Sequence, residues 1–403
     1  MEDIRDMSFE QLVKEAKELE ARTEELYVYG AGYYGKDVCE ILRRNGIRIK
    51  GFVVTKVQKN SEILGLPVLN VNEVIHQNCG IILGMNDTYL SEVRRYLKDH
   101  NVNMGNVLDG GKYLFEVNGR ERMRENPIIE VTTCIGCKIN CKFCPQKLLL
   151  KKYYEVDKMR KSTMETEDFQ VYLKHSSGIS DFVFAGMSEP FLNKDCIKLL
   201  KMACADGRRV SIYTTLVGAD DNDIDEMLEL PLQLVVLHVA DKYGYAQIPL
   251  SKKYYDMVEK VLAAKKKDGK LFVDSVCAQA EADKRIEELC KGKYEILTSL
   301  HDRAGNLDDN TLSSRAKKLV NEKIYCSSFG KELNTQVLLP DGTLVLCSSD
   351  YGLQHRLGNL LLHEYDEIRN GEEMKRVFKG MNGDASVDVL CRNCFSARIA
   401  EED

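Results

Sequence analysis

Cys134-Ile135-Gly136-Cys137-Lys138-Ile139-Asn140-Cys141-Lys142-Phe143-Cys144 is the stretch that decides how this 403-residue chain is read. Four cysteines fall within eleven residues, directly after an apolar run, Ile128 to Thr132, that reads as a strand. Three arrangements of metal compete for them. A structural zinc site needs its two cysteine pairs set apart by a longer loop, so that a tetrahedron can close. A bacterial ferredoxin run has spacings x2, x2, x3, whereas this one runs x3, x2 from Cys137. The third arrangement takes Cys137, Cys141 and Cys144 alone as ligands of a [4Fe–4S] cube. Three thiolates leave the fourth iron open to a small molecule. Cys134 is then left over, either as a small buried hydrophobe or as a further thiol near the cluster.

The rest of the composition narrows the class. Hydrophobic residues make up 44% and charged residues 30%, an ordinary globular balance. A net charge of -6 gives no global reason to expect nucleic acid or an anionic membrane as partner. Lys265-Lys266-Lys267 reads as a solvated face at a helix end. No apolar run is long enough to span a bilayer, and the acidic start Met1-Glu2-Asp3-Ile4-Arg5-Asp6 is not a signal peptide. The expected location is cytoplasmic. In that reducing setting the 14 cysteines point to metal or catalysis rather than disulfides.

Ser8-Phe9-Glu10-Gln11 reads as a capping box opening a helix with apolar face Leu12, Val13, Ala16 and Leu19. A strand over Leu26–Tyr29 runs into Gly30-Ala31-Gly32-Tyr33-Tyr34-Gly35, followed by a helix through Leu42. Strands at Ile49–Val54 and Ile81–Gly84 complete a small parallel α/β domain over about residues 24–115. Charged residues dominate Asn118–Asn126, a linker. Further strands are expected at Ile128–Thr132, Phe182–Ala185, Val210–Thr214, Leu234–Val239, Leu271–Val276 and Glu295–Thr298, with helices between most of them. Six βα units suggest an incomplete parallel barrel with its chemistry at the C-terminal strand ends. After about Ile324, Gln336–Leu339 and Thr343–Leu346 flank Pro340-Asp341-Gly342, a hairpin signal.

The cysteine spacing after a barrel strand resembles the radical S-adenosylmethionine (SAM) superfamily. Phe143 occupies the aromatic position where members contact adenine. Ala185-Gly186-Met187-Ser188-Glu189-Pro190 is similar to the family's glycine-rich element. The resemblance implies that the Gly186 and Ser188 backbone and the Glu189 acid hold the methionine ammonium. Tyr213-Thr214-Thr215 stands where members contact ribose, with Thr215 in place of the usual Asn; Thr214 is carried as the contact. Arg303, in Arg303-Ala304-Gly305-Asn306, is a candidate partner for the SAM carboxylate. The resemblance implies that SAM chelates the open iron and is cleaved by one electron, yielding a 5′-deoxyadenosyl radical. A closed barrel interior keeps such a radical from water, and the protein's task is orientation.

Cys326, Cys347, Cys391 and Cys394 are the only cysteines after residue 290. By residue type alone, zinc and an iron–sulfur cluster both fit them. Behind a radical SAM barrel, the Gly342-x4-Cys347 hairpin, Gly358-Asn359 and Cys391-Arg392-Asn393-Cys394 resemble the twitch domain, a shortened relative of SPASM. That implies one auxiliary [4Fe–4S] cluster with four protein ligands, able to move electrons but not to bind substrate. The layout is similar to that of the radical SAM aminocyclitol dehydrogenases. The expected fold class is therefore α/β, a partial (βα)6 TIM-like radical SAM barrel over 118–315. An N-terminal helix plus Rossmann-like domain covers 1–117, and a small C-terminal β-hairpin/helix cluster-binding domain covers 316–403.

Gly30, Gly32 and Gly35 between strand and helix suit a phosphate at a helix N-terminus. The ribose-binding acid expected about 20 residues on is missing from Phe52-Val53-Val54-Thr55-Lys56, which argues against NAD. With Gly65-Leu66-Pro67-Val68 the segment resembles the Rossmann-like domains that front sugar acyltransferases and bind nucleotide sugars; the alternative is close helix–strand packing only. His238 and Asp241 end the fourth strand and Asp274 lies within the fifth; barrel geometry aims His238 or Asp241 at substrate, the alternative for each being a structural or solvated polar residue. Cys204 and Cys277 are hydrogen-atom donors or inert buried thiols. The function these readings favour is a radical SAM oxidoreductase on a sugar, cyclitol or nucleotide-linked glycan, served by a reductase such as flavodoxin or ferredoxin. An epimerase and a peptide maturase are the alternatives. The Glu189 element stands against a mere electron carrier.

Overall fold

The computed structural model describes residues 4–55, 62–75, 78–85, 87–113, 127–156, 158–267, 269–298, 302–307, 319 and 322–400. The expected linker, Asn118–Asn126, lies outside them. Two compact units, residues 1–122 and 123–403, are present. No helix among the described residues is long and apolar enough to cross a membrane.

In the first unit, α1 (Ile4–Glu20) begins a turn ahead of Ser8, so the expected cap lies inside the helix. Leu12, Ala16 and Leu19 are buried as its spacing requires. Strand β1 (Glu25–Tyr29) runs parallel to β2 (Gly51–Val54) and to β5 (Cys79–Leu83). Three strands were not anticipated: β3 (Glu62–Ile63), β4 (Leu66–Asn70) and β6 (Val107–Asp109). The order is β3-β4-β2-β1-β5-β6, parallel except for the β3–β4 hairpin. Leu64 and Gly65, both at positive φ, turn that hairpin. Helices α2 (Tyr33–Arg44) and α3 (Asp87–Asp99) complete the α/β alternation.

The glycine loop is explained in part by steric necessity. A Cβ on Gly35 would stand 1.9 Å from the Gly30 carbonyl oxygen, so helix and strand meet backbone to backbone. Gly30 adopts φ +104, which favours glycine. Gly32 has neither constraint: nothing lies within 4 Å of a Cβ placed there.

The second unit is built on one nine-stranded sheet. Strands β7 (Ile128–Val131), β8 (Asp181–Phe184), β9 (Arg209–Thr214), β10 (Leu234–His238), β11 (Ser275–Ala278) and β12 (Ile296–Thr298) pair in parallel, in sequence order. They form the expected partial barrel. The fifth strand starts at Ser275 and not at Leu271, because Asp274 is used otherwise. Its carboxylate accepts the Val235 N–H at 2.8 Å and holds Lys266 at 2.7 Å. Lys266 is thus committed to a partner and does not belong to a freely solvated lysine face.

Between the strands lie α4 (Gln146–Tyr154), α5 (Thr166–His175), α6 (Cys196–Ala205), α7 (Asp221–Leu228), α8 (Lys252–Ala263) and α9 (Lys284–Cys290). Their apolar faces cover one row of strand residues. Ile129, Val131, Phe182, Phe184, Val210, Ile212, Val235, Leu237 and Val276 all join the main core. Each such side chain, fully buried, contributes about 1.5–3 kcal/mol. Strand periodicity of two then sends Glu130, Tyr213, His238 and Cys277 to the opposite, inner face.

The sheet does not end at β7. After β13 (Ile324–Cys326), strand β14 (Thr335–Leu338) pairs in parallel with β7, Ile128 opposite Thr335 and Val131 opposite Leu338. The predicted hairpin follows as β14 and β15 (Thr343–Val345), then β16 (Arg356–Asn359). Arg160 Nε donates to Asp341 at 2.6 Å, fastening the hairpin turn to the segment after α4. Helices α10 (Tyr365–Arg369) and α11 (Glu372–Met381) lead to β17 (Ala397–Ile399), which pairs antiparallel with β13.

The glycine loop yields a direct test. Gly35→Ala should lower the stability of the first unit by about 1–3 kcal/mol or more through the backbone clash, while Gly32→Ala should change it by less than about 0.5 kcal/mol. Chemical denaturation of the two variants reads the difference.

Candidate functional site

Strand β7 delivers the cysteine loop to the C-terminal edge of the barrel. Cys137 and Cys141 are half-buried, and each thiol feels the other or Cys144. Burial pushes Cys137 up to about 11, opposed by backbone hydrogen bonds at Glu189 and Ile139. Burial, then the neighbouring thiols Cys144 and Cys137, push Cys141 up to about 12. Cys137 and Cys141 therefore resist ionising, and iron reverses this by binding the thiolates. Gln146 Nε2 donates to the Cys144 sulfur at 3.4 Å, and the Cys144 thiol donates to the Tyr351 hydroxyl at 3.3 Å, a bond whose direction reverses once the sulfur is a thiolate. Among the described residues no three of Cys, His, Asp and Glu are arranged to hold a lone metal ion. A cube asks for something else, each thiol on a different iron. Three thiols with N–H and O–H donors around them fit such a group. Cys134 is buried, its thiol directed at the Glu189 carbonyl at 3.9 Å, a structural role.

Phe143 is buried edge-on against Tyr245, ring centroids 5.5 Å apart. Asp241 builds the loop that carries Tyr245: its carboxylate accepts the N–H groups of Tyr243, Tyr245 and Ala246. Asp241 therefore serves backbone rather than substrate. Cys141, Cys144, Lys142, Lys147 and Tyr245 line a pocket of about 370 Å³ on this side of the loop.

The loop after β8 carries Gly186 and Ser188. Gly186 has φ +60, and a Cβ there would reach within 2.2 Å of Thr132 Oγ1. That hydroxyl accepts the Met187 N–H at 3.0 Å, which fixes the loop on β7. Ser188 Oγ is buried and, beyond the Cys134 thiol that it steadies, without a hydrogen-bond partner. That fits a polar ligand.

Glu189 is held by donors of this chain. Its Oε1 accepts from Thr214 Oγ1 at 2.5 Å and Phe191 N at 3.2 Å. Its Oε2 accepts from Thr215 N at 2.6 Å and Thr215 Oγ1 at 2.8 Å. A carboxylate offers about four acceptor sites, and all four are used by this chain. Glu189 clamps the β8 loop to the end of β9, and Thr214 is its partner in the clamp.

Arg303 lies within reach of both the inner face and the cysteine loop. It adopts φ 50, its Nε is buried without a partner, and it feels Tyr351, Cys144, Glu130 and Cys141. Burial raises the Glu130 carboxyl to about 7, with Ser348 and Arg303 acting against the shift. His238 is exposed yet enclosed by protein, so its ring faces interior space. Burial, then the Arg303 charge, pull it down to about 4. Tyr213 lies beside it, ring centroids 6.2 Å apart, and Cys277 is its register partner on β11. Gln279, directed at Cys141, keeps its Oε1 unpartnered. Cys204, on α6, packs against the core of the helix layer and not the interior.

The four C-terminal cysteines also come together. Cys347 feels Cys391 and Cys394, while Cys391 and Cys394 both feel Cys326. Burial raises Cys347, Cys391 and Cys394, the last to about 12. Backbone N–H groups reach two of the sulfurs, Phe329 to Cys326 and Ser396 to Cys394, each at 3.4 Å. An all-thiol set with N–H···S support suits an iron–sulfur cluster.

A family profile of the radical SAM superfamily matches residues 131–291, and one of the SPASM iron–sulfur cluster-binding domain matches residues 326–395. This is a radical SAM enzyme with an auxiliary cluster domain. Its cofactors are accordingly SAM and [4Fe–4S] clusters. Among solved structures, BtrN in complex with AdoMet and 2-DOIA has TM-score 0.43 and 19% identity over 67% of this chain and 92% of that one. SuiB of Streptococcus suis bound to precursor peptide SuiA gives 0.38 and 12%, over 76% and 82%. Native anSMEcpe with bound AdoMet gives 0.36 and 15%, over 67% and 88%. No curated relative matches the chain.

The clamp role of Glu189 separates stability from ligand binding. Glu189→Gln turns one acceptor into a donor facing buried donors, and should cost the cofactor-free protein about 1–3 kcal/mol. A side chain acting on SAM alone would leave unfolding of the cofactor-free protein unchanged.

Proposed function

We propose that this enzyme oxidises a small polyhydroxylated substrate, a sugar or cyclitol, held inside the barrel, with the auxiliary cluster taking up an electron. The observation that carries the reading is the polar inner face. Glu130, His238 and Arg303 face this space, and an apolar substrate would leave the buried Arg303 Nε and Gln279 Oε1 without hydrogen-bond partners. Such a lining matches hydroxyl groups, which both donate and accept. With the cluster and SAM bound at Cys137, Cys141 and Cys144, the site supplies a 5′-deoxyadenosyl radical that removes hydrogen from a C–H bond. Arg303 and His238 orient the substrate. Glu130, whose carboxyl is held near neutrality, takes the hydroxyl proton as the carbonyl forms. Cys326, Cys347, Cys391 and Cys394 hold a cluster with no iron left for substrate, which suits it to the electron. A nucleotide on the substrate is not required by any residue named in the interior.

The electron that starts the reaction comes from a reductase such as flavodoxin or ferredoxin. Lys138 and Lys147 are exposed around the cluster loop and carry no ion pair among the described residues. They suit an acidic donor protein.

An epimerase is the second reading, favoured by Cys277, half-buried on the inner face where a thiol can return hydrogen. The two readings part in deuterated water. Oxidation gives equimolar 5′-deoxyadenosine and ketone with no solvent deuterium in the product; epimerisation gives deuterium at the inverted carbon. Cys391→Ala should leave SAM cleavage within about a factor of three of the parent while oxidation falls at least about a hundredfold, roughly 3 kcal/mol. Equal loss of both would remove the electron-acceptor role. Glu130→Gln should slow product formation by about 10²–10⁴, the worth of a general base.

A further inference from the structure

We propose that Tyr351, a residue of the auxiliary region, sets the reduction potential of the SAM-binding cluster by donating its phenolic hydrogen to the Cys144 sulfur. The inference rests on the cluster site and not on the substrate proposed above.

Geometry carries it. The Tyr351 oxygen stands 3.3 Å from Cys144 Sγ across 207 residues of sequence. The ring is 3% exposed and packs among Ile135, Met187 and Val337, between the cluster loop and the hairpin. A phenol has a single hydrogen to give. Once Cys144 is a ligand thiolate, the sulfur becomes the acceptor and Tyr351 the donor.

The segment that carries Tyr351 is fixed at several points. Asp350 accepts the N–H groups of Gln354 and His355, both at 2.9 Å. Asn306 Nδ2 donates to the Ser349 carbonyl at 3.0 Å and to the Arg303 carbonyl at 2.8 Å. The same short segment begins with Cys347, a ligand of the other cluster. The donor to Cys144 is therefore positioned by structure that the auxiliary site organises. Hydrogen bonds to cluster sulfurs favour the more negative, reduced state and raise the potential.

The test is an EPR-monitored redox titration of protein carrying both clusters, following the signal that changes when SAM is added. Tyr351→Phe removes the hydrogen and keeps the ring. Its midpoint should shift to more negative potential, with iron and sulfide content unchanged and the auxiliary signal in place. Replacing Tyr351 by 3-fluorotyrosine, a stronger donor of nearly the same shape, should shift the midpoint the opposite way. Coincident midpoints in all three proteins overturn the proposal. A shift of the same sign in both variants also overturns it, because it reports disturbed packing rather than the bond. Should the phenylalanine protein fail to hold its clusters, the sign of the fluorotyrosine shift decides alone.

Discussion

The parallel pairing of β14 with β7 is the constraint on which the rest of the second unit depends. β7 ends in the loop that bears Cys137, Cys141 and Cys144, and the β14–β15 hairpin ends at Cys347. Two cofactor sites that are far apart in sequence are thus fixed by backbone hydrogen bonds of one sheet. A hinge between them would require breaking that ladder. The separation of the two cysteine sites is then a property of the sheet rather than of side-chain flexibility.

Strand alternation divides the labour inside this frame. Apolar residues on one face of each strand build the core beneath the helices, leaving the other face free for chemistry. Glu130 shows the division most sharply, a carboxyl between Ile129 and Val131, which are both fully buried. Arg303 reaches the same space from the loop after β12 and offsets the charge of Glu130. A buried acid and a buried cation that share one interior are tolerated there only because each moderates the other.

How much of this could be read from the sequence depends on the range of each interaction. Cluster ligands are local, and their spacing is set by cube geometry, so Cys137, Cys141 and Cys144 stood out at once. The barrel strands were legible because each is a short apolar run, although β11 was displaced by Asp274 serving its neighbours. The β3–β4 hairpin was missed because Leu64-Gly65 lacks the usual Asn-Gly signal. Glu189 was found by its motif, whereas its bonds to Thr214 and Thr215 show only in three-dimensional packing. Tyr351 carried no signal at all, since a single aromatic residue so distant from Cys144 has no local pattern. The glycine loop was half legible: Gly30 and Gly35 are steric necessities, which motif matching cannot distinguish from phosphate contact.

The pocket beside Cys141 and Cys144 has a consequence of its own. An opening of about 370 Å³ brings solvent to the ligands of the cluster. Lys142, packed over the rings of Phe143 and Tyr245 at 4.9 and 4.4 Å, covers part of that opening, so a cluster held by these cysteines would be screened from solvent on this side by one cation and two aromatic rings.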